Sequence, residues 1–143
     1  MADLVEFLRA RLDEEEATAQ LAQHCATTPW HYFGGRKFAN TAVISAENGD
    51  SIGRCGGCGE QGEYYDSPAM HIAYWDPARV LAEVAAKRAI LGLCAEAIDI
   101  GSDDDGPLTS GSNLGTDVLR AFAQPYADHP GFDPSWRAEV TSG

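Results

Sequence analysis

The feature that most constrains the fold is a long run of helix-forming residues near the middle of the chain. It reads "PARVLAEVAAKRAILGLCAEAI" and predicts a helix over about residues 77–98. Asp76-Pro77 at its start combines a good N-cap with proline at the first helical position. Apolar residues follow on one face about every three and a half residues. They are Val80, Val84, Leu91, Cys94 and Ile98. This spacing predicts a seam with another long helix.

The partner for that seam is a helix predicted at the start of the chain, over about residues 3–25. Asp3 and Glu6 stand at the spacing of a capping box, in which the two side chains satisfy backbone N–H groups of the first turn. The apolar face of this helix consists of Leu4, Leu8, Leu12 and Ala19. Since no other long helix is predicted, we expect the two to pack together.

Charge and shape favour an antiparallel register, with Leu12 near Leu91 and Ala19 near Val84. Glu15 and Glu16 of the first helix then lie opposite Lys87 and Arg88 of the second. Exposed ion pairs of this kind contribute at most about 1 kcal/mol each. The seam could also be shared between two chains, as in a homodimer.

Between these helices, over about residues 30–65, the sequence predicts a β-meander. The segments "WHYF", "FANTAVISA" and "SIGRC" are rich in the β-branched and aromatic residues that strands favour. Asn48-Gly49, between the last two segments, is a strong hairpin signal because its turn needs positive φ. We predict three or four short antiparallel strands.

The remaining chain predicts short helices and one flexible loop. Ser67-Pro68 opens a helix over about residues 68–75, and another is expected over about 116–124. Between them, residues 101–115 are acidic and turn-rich, which predicts a flexible loop. The length of 143 residues, 44% of them hydrophobic, predicts a single domain over 1–143. Its class is α+β, a small antiparallel meander packed against a long antiparallel helix pair.

The charge of the chain excludes some classes of partner. A formal net charge of -12 and a pI near 4.5 disfavour direct nucleic-acid binding, which needs an excess of Lys and Arg on at least one face. An acidic protein meets basic partners more readily. No run of residues approaches a membrane span, and the acidic N-terminus does not resemble a secretory leader. We therefore expect a cytoplasmic protein without membrane contacts.

The segment "GRCGGCGEQG" places Cys55 and Cys58 at the spacing of a zinc knuckle. One knuckle supplies two ligands, and a closed site needs two more. His71 and Cys94 are the candidates we assign, with His24 and Cys25 as further ones. The alternative is a hairpin with a Gly-Gly loop and a cross-strand cysteine pair. No thioredoxin-like helix begins here, so zinc is the one cofactor that the sequence admits, and otherwise none is expected.

A second candidate site combines aromatic, basic and histidine side chains. They could line a pocket between sheet and helices and stack a planar anionic ligand. The residues are Trp30, His31, Arg36, Arg54, Tyr64, Tyr65, His71, Tyr74 and Arg79. The same aromatics could equally form the core of a small α+β domain. No catalytic residues are assigned, because the sequence holds no nucleophile motif and no phosphate-binding loop.

Four blocks of the sequence resemble an uncharacterised family, a domain of unknown function, of small proteins from streptomycetes, related actinobacteria and their phages. The blocks are "DLVEFLRARLDEEE", "TTPW", "HIAYWDPARVLAEVAAKRAIL" and "YADHPGFDPSWR". The family pattern maps here onto Trp30, His71, Asp76, Pro77, Arg79, Tyr126, His129, Pro130 and Trp136. The chain departs from the pattern at Trp75, where a histidine is usual, and in its CGGC hairpin. The second departure counts against a family-wide zinc function.

The resemblance implies a setting in actinobacterial or phage cytoplasm and carries no activity. We therefore expect a non-enzymatic accessory binding protein, for example a counter-defence protein. It would sequester a nucleotide-type signal or inhibit a host defence protein, so its partner is a small signalling molecule or a host protein. One alternative is a structural or weakly enzymatic zinc protein organised by Cys55 and Cys58. A further alternative is an acidic mimic of nucleic acid.

Overall fold

The structure, a computed structural model, describes residues 2–33, 41–56, 66–102 and 110–137. The elements are α1 Ala2–Cys25, β1 His31–Phe33, β2 Thr41–Ser45, β3 Ser51–Gly56, α2 Asp66–Tyr74, α3 Pro77–Ser102 and α4 Ser110–Ala123. Two 3-10 turns follow, at Gln124–Tyr126 and Pro134–Trp136. Helices and an antiparallel sheet β1-β2-β3 confirm the α+β class.

The chain divides into two compact units, and each is described separately. The first unit is Met1–Glu14 with Ala85–Gly143, and the second is Glu15–Val84. The division falls within α1 and within α3, so each long helix contributes residues to both units. The single domain over 1–143 stays a prediction.

In the second unit, α2 packs on the antiparallel sheet and contacts all three strands. Ile44 of β2 is buried against Ala69 and Ala73 of α2, with Trp30 and Ile52 at the edge of the cluster. The hairpin between β2 and β3 turns at Gly49, whose φ of 89° is the positive value that the sequence predicts. Residues 57–65, where a fourth strand would fall, lie outside the described residues.

In the first unit, the core forms between α1, α3 and α4. The residues with the least exposed surface there are Leu4, Leu8, Leu12, Leu91, Leu119 and Ala123. Leu12 and Leu91 line one cavity, in agreement with the predicted register. Arg88 Nη2 donates a hydrogen bond to Asp13 Oδ1 at 2.5 Å, so Asp13 is an acidic partner that the register did not include.

The predicted loop 101–115 is shorter than the sequence indicates. α3 continues to Ser102, and α4 begins at Ser110 rather than near 116. The physical reason lies in Gly115, which is buried in α4: a Cβ there would lie 3.1 Å from the Cys94 carbonyl oxygen. Close packing of α4 on α3 therefore outweighs the turn propensity of "SGSNLG". Residues 103–109 lie outside the described residues.

In the part of the chain that the structure describes, every helix is too short or too polar to cross a lipid bilayer.

Candidate binding site

The junction between α2 and α3 is organised by Asp76, which is only 7% exposed. Its Oδ1 accepts a hydrogen bond from the backbone N–H of Arg79 at 2.8 Å, as an N-cap does. Its Oδ2 accepts another from the backbone N–H of Trp30 at 3.2 Å. One carboxylate therefore caps α3 and joins it to the chain that enters β1.

Arg79, in the first turn of α3, stacks on two aromatic side chains. Its guanidinium carbon lies 4.0 Å from the ring centroid of Tyr74 and 4.5 Å from that of Trp75. Its Nη2 lies 3.4 Å from Glu83 Oε1. Hydrogen bonding to Tyr74 raises the pKa of Arg79, and Glu83 acts in the same direction, so the side chain stays charged.

His71 lies on α2 next to this stack, with its ring centroid 6.4 Å from that of Trp75. We call the group of His71, Tyr74, Trp75 and Arg79 the arginine corner. Its rings are open to solvent: Tyr74 is 64% exposed and Trp75 is 42% exposed. The corner thus presents two aromatic rings and a cation held in a defined position, which is a surface suited to binding.

The structure brings together part of the predicted ligand site. His71, Tyr74 and Arg79 meet in the corner, and Trp30 connects to it through Asp76. His31 contacts Glu47 instead, with Nε2 2.6 Å from Oε2.

The other predicted ligand residues cannot be placed in this site. Arg36, Tyr64 and Tyr65 lie outside the described residues, as does the side chain of Arg54 on β3.

Trp75 is a corner residue that the ligand-site prediction omitted. It is the first residue after α2 and stands four positions before Arg79, and the two side chains meet beside the α3 cap. The segment "YWDPAR" does indicate this contact, because it places two aromatic residues immediately before a helix cap and an arginine three residues after the cap.

A family model described as a family of unknown function, DUF6221, matches residues 1–138. The chain belongs to this family. Membership of DUF6221 confirms the family resemblance seen in the sequence, and the match extends over nearly the whole chain. No curated protein matches the chain, and neither does any solved structure.

The zinc site stays a prediction for this DUF6221 protein. Cys58 and the side chain of Cys55 lie outside the description, and no cluster of three His, Cys, Asp or Glu side chains suited to a metal occurs among the described residues. Cys94 is buried in the first unit, whereas His71 belongs to the second. Burial raises the pKa of the Cys94 thiol, which disfavours the thiolate that binds zinc.

The first unit of the DUF6221 chain holds a small apolar cavity of about 110 Å³. It is lined by Leu8, Leu12, Lys87, Leu91, Ala121, Phe122, Pro125 and Tyr126. Ligand pockets for drug-sized molecules measure about 300–1,000 Å³ and contain several converging polar groups. This cavity is therefore too small to enclose a nucleotide.

The aromatic residues near the C-terminus surround Phe7 of α1 in the first unit. Ring centroids of Tyr126, Phe132 and Trp136 lie 5.1–6.2 Å from that of Phe7. His129 also packs on Phe7; its Nε2 contacts Arg11, and its Nδ1 accepts a hydrogen bond from the Gly131 N–H at 2.9 Å. These contacts explain the "YADHPGFDPSW" block of the family as packing and turn formation.

Proposed function

We propose that this DUF6221 protein acts by binding another protein, without turnover, through the arginine corner. The observation that carries the proposal is the exposed pair Tyr74 and Trp75 stacked against Arg79. Large aromatic side chains are usually buried, so a pair that stays open beside a fixed cation favours a role in recognition.

The composition around the corner favours a protein partner. Two further apolar side chains of α2 are open to solvent, Met70 at 46% and Ile72 at 40%. Protein interfaces are enriched in aromatic residues, methionine and arginine, and most of their binding energy is concentrated in Trp, Tyr and Arg. The α2 surface with the arginine corner has this composition.

The corner is held in place before any partner arrives. Asp76 anchors the first turn of α3, and Ala69 and Ala73 fix α2 to the sheet. Arg79 is stacked on both rings, so binding costs less side-chain entropy than it would for a free arginine. Such preorganisation supports a binding role, and among the four described residues of the corner no nucleophile stands beside a general base.

The charge of the chain indicates which partners would associate fastest. A net charge of -12 attracts proteins with basic surfaces and accelerates their encounter. In the actinobacterial or phage cytoplasm that the family resemblance implies, we assign the protein a counter-defence role. The partner is then a host defence protein, which the charge of the chain attracts and the arginine corner contacts.

A nucleotide-type signal is the competing ligand at the same corner. Stacked rings beside a guanidinium also suit a base and a phosphate. However, the guanidinium already covers one face of each ring. A protein partner, which can surround the exposed edges of Tyr74 and Trp75, fits the corner better.

The acidic helix α1 supports mimicry of nucleic acid less well than the arginine corner supports protein binding. Two of its carboxylates pair with arginines of the same unit, Asp13 with Arg88 and Glu14 with Arg11. Paired carboxylates contribute less to the continuous negative surface that a mimic needs.

Site-specific photocrosslinking tests the proposal. A photoreactive amino acid replaces Tyr74 in the chain expressed in an actinobacterial host, and the matched control replaces Leu21, which is 65% exposed against 64% for Tyr74. We expect one host protein to crosslink at position 74 and not at position 21. The purified partner should bind the wild type, and Arg79→Ala should weaken binding by at least about tenfold in calorimetry.

The same calorimetry includes nucleotides as competing ligands. Equal crosslinking at both positions, or a partner whose affinity is unchanged by Arg79→Ala, would remove the corner as the binding site. Tight binding of a nucleotide that is lost in Arg79→Ala, with no protein crosslinked at position 74, would replace the protein partner by the signal molecule.

A further inference from the structure

Helix α3 carries a second apolar stripe, which faces solvent. The stripe consists of Ala86, Ile90, Leu93, Ala97 and Ile100. Its large members are well exposed: Ile90 at 40%, Leu93 at 67% and Ile100 at 74%. Ala86 is exposed as well, and Ala97 is partly exposed.

This stripe is distinct from the one that packs into the protein. Leu91 and Cys94 of α3 are buried in the first unit. They lie on other sides of the helix than Leu93, because each residue is rotated by about 100° around the helix axis from the one before it. A helix that packs on one side only usually carries polar residues on the other. α3 instead carries apolar residues on both.

The spacing of the exposed stripe is that of a helix–helix seam. Its members follow one another at intervals of four, three, four and three residues. These are the intervals between the two heptad positions that face a partner helix. From Ala86 to Ile100 the seam is about 21 Å long at 1.5 Å per residue. The solvent-exposed side of α3 thus has the pattern of an interface.

We propose that the partner on this seam is α3 of a second copy of the chain, packed antiparallel about a two-fold axis at Leu93. The argument rests on side-chain size. Counting outwards from Leu93, Ala86 and Ile100 are each seven residues away, while Ile90 and Ala97 are three and four residues away. An antiparallel pair therefore sets Ile100 against Ala86 of the copy, and Ile90 against Ala97 of the copy.

Each large side chain thus meets a small one, and Leu93 meets its own copy at the axis. Interfaces pack well when large and small residues alternate across them. A self-complementary patch of this kind is what a two-fold dimer requires.

A parallel pair does not match in this way. It would set alanine against alanine and isoleucine against isoleucine, leaving gaps at Ala86 and Ala97. Side-chain size therefore favours the antiparallel pair.

The seam is short, so the dimer belongs with small, reversible interfaces. Its dissociation constant should be on the order of micromolar. This proposal concerns α3 alone and does not depend on the arginine corner.

Sedimentation velocity of the full chain, from about 1 to about 200 µM, tests the proposal. We expect the wild type to change from monomer to dimer within this range. Leu93→Glu places two carboxylates at the axis and should weaken the dimer by at least about a hundredfold. Leu21→Glu is the matched control, since Leu21 is 65% exposed on α1, and it should leave the dimer unchanged. Circular dichroism verifies that both variants fold.

A charge exchange tests the antiparallel direction. Ala86→Lys alone and Ile100→Glu alone should each weaken the dimer, and the double variant should recover it, because lysine at 86 then faces glutamate at 100 of the copy. In a parallel pair, each introduced charge would face its own copy and no recovery would occur.

A wild type that is monomeric at about 200 µM overturns the proposal. So does a dimer that persists in folded Leu93→Glu, and so does a double variant without recovery.

Discussion

Single residues decide how the second unit is held together, and Asp76 is the clearest case. The sequence predicts it as an N-cap because proline follows it. The structure adds the bond to Trp30, which comes from a residue 46 positions earlier in the chain. A residue that looks like a local cap is therefore also a long-range connection.

We expect Asp76→Ala to lower the free energy of unfolding by about 2 kcal/mol, measured by urea denaturation. The substitution removes the cap of α3 and leaves the Trp30 N–H without its acceptor. The matched control is Asp133→Ala, which removes an exposed cap whose Oδ1 accepts from the Ser135 N–H at 2.8 Å. The control should lose clearly less stability, because water can replace its contacts. Equal losses would show that the bond to Trp30 contributes nothing.

The elements differ in how well the sequence predicts them. Strong caps and long apolar stripes predicted α1 and α3 closely, whereas the start of α4 was misplaced by six residues. Its first turn consists of serine, glycine and asparagine, which favour turns when nothing packs against them. Gly115 changes this balance because it lets the backbone of α4 approach Cys94.

Two glycines of α4 should therefore respond to alanine in opposite directions. A Cβ at Gly111 meets nothing within 4 Å, so Gly111→Ala should raise the free energy of unfolding, by no more than about 0.5 kcal/mol because Gly111 lies in the first turn of α4. A Cβ at Gly115 meets the Cys94 carbonyl oxygen at 3.1 Å, a backbone atom that cannot move alone. Gly115→Ala should lower stability by about 1 kcal/mol or more despite the gain in helix propensity.

Thermal denaturation of the two variants, followed by circular dichroism, measures both effects. If Gly115→Ala were as stabilising as Gly111→Ala, α4 would not pack closely on α3, and the explanation for its early start would be wrong.

Unfolding of the entire chain tests whether its two units form a single domain. The sequence predicts a single domain, and both long helices contribute residues to each unit. One cooperative transition is the behaviour expected of a single domain of this size.

Core substitutions in each unit test this prediction. Leu119→Ala in the first unit should cost about 2–5 kcal/mol, and Ile44→Val in the second about 0.5–1.5 kcal/mol. In a single domain, each variant shifts the one transition, and hydrogen exchange in urea reports the same opening free energy for the most protected amides of α4 and β2. If Ile44→Val changed protection only in the second unit, the chain would consist of two domains.

The candidate site was predicted only in part, and the reason is physical. The aromatic and basic residues of the proposed pocket were recognisable from their chemistry: Tyr74 and Arg79 do meet, and His71 joins them through Trp75. Which others join them depends on where separate segments of the chain come to lie, as His31 shows by contacting Glu47. Trp75 joins the site through its spacing to Arg79, which the residue type alone does not indicate.

By itself the sequence determined the α+β class, the family, the starts of α1 and α3, and the Gly49 turn. Apart from the family, which is read from the sequence itself, these depend on local terms, namely caps, periodicity and backbone conformation, which act between residues close in the chain. Only the tertiary structure decided the second bond of Asp76, the extension of α4, the stacking in the arginine corner and the exposure of the second stripe of α3. These depend on packing between distant segments, whose energies local patterns do not contain.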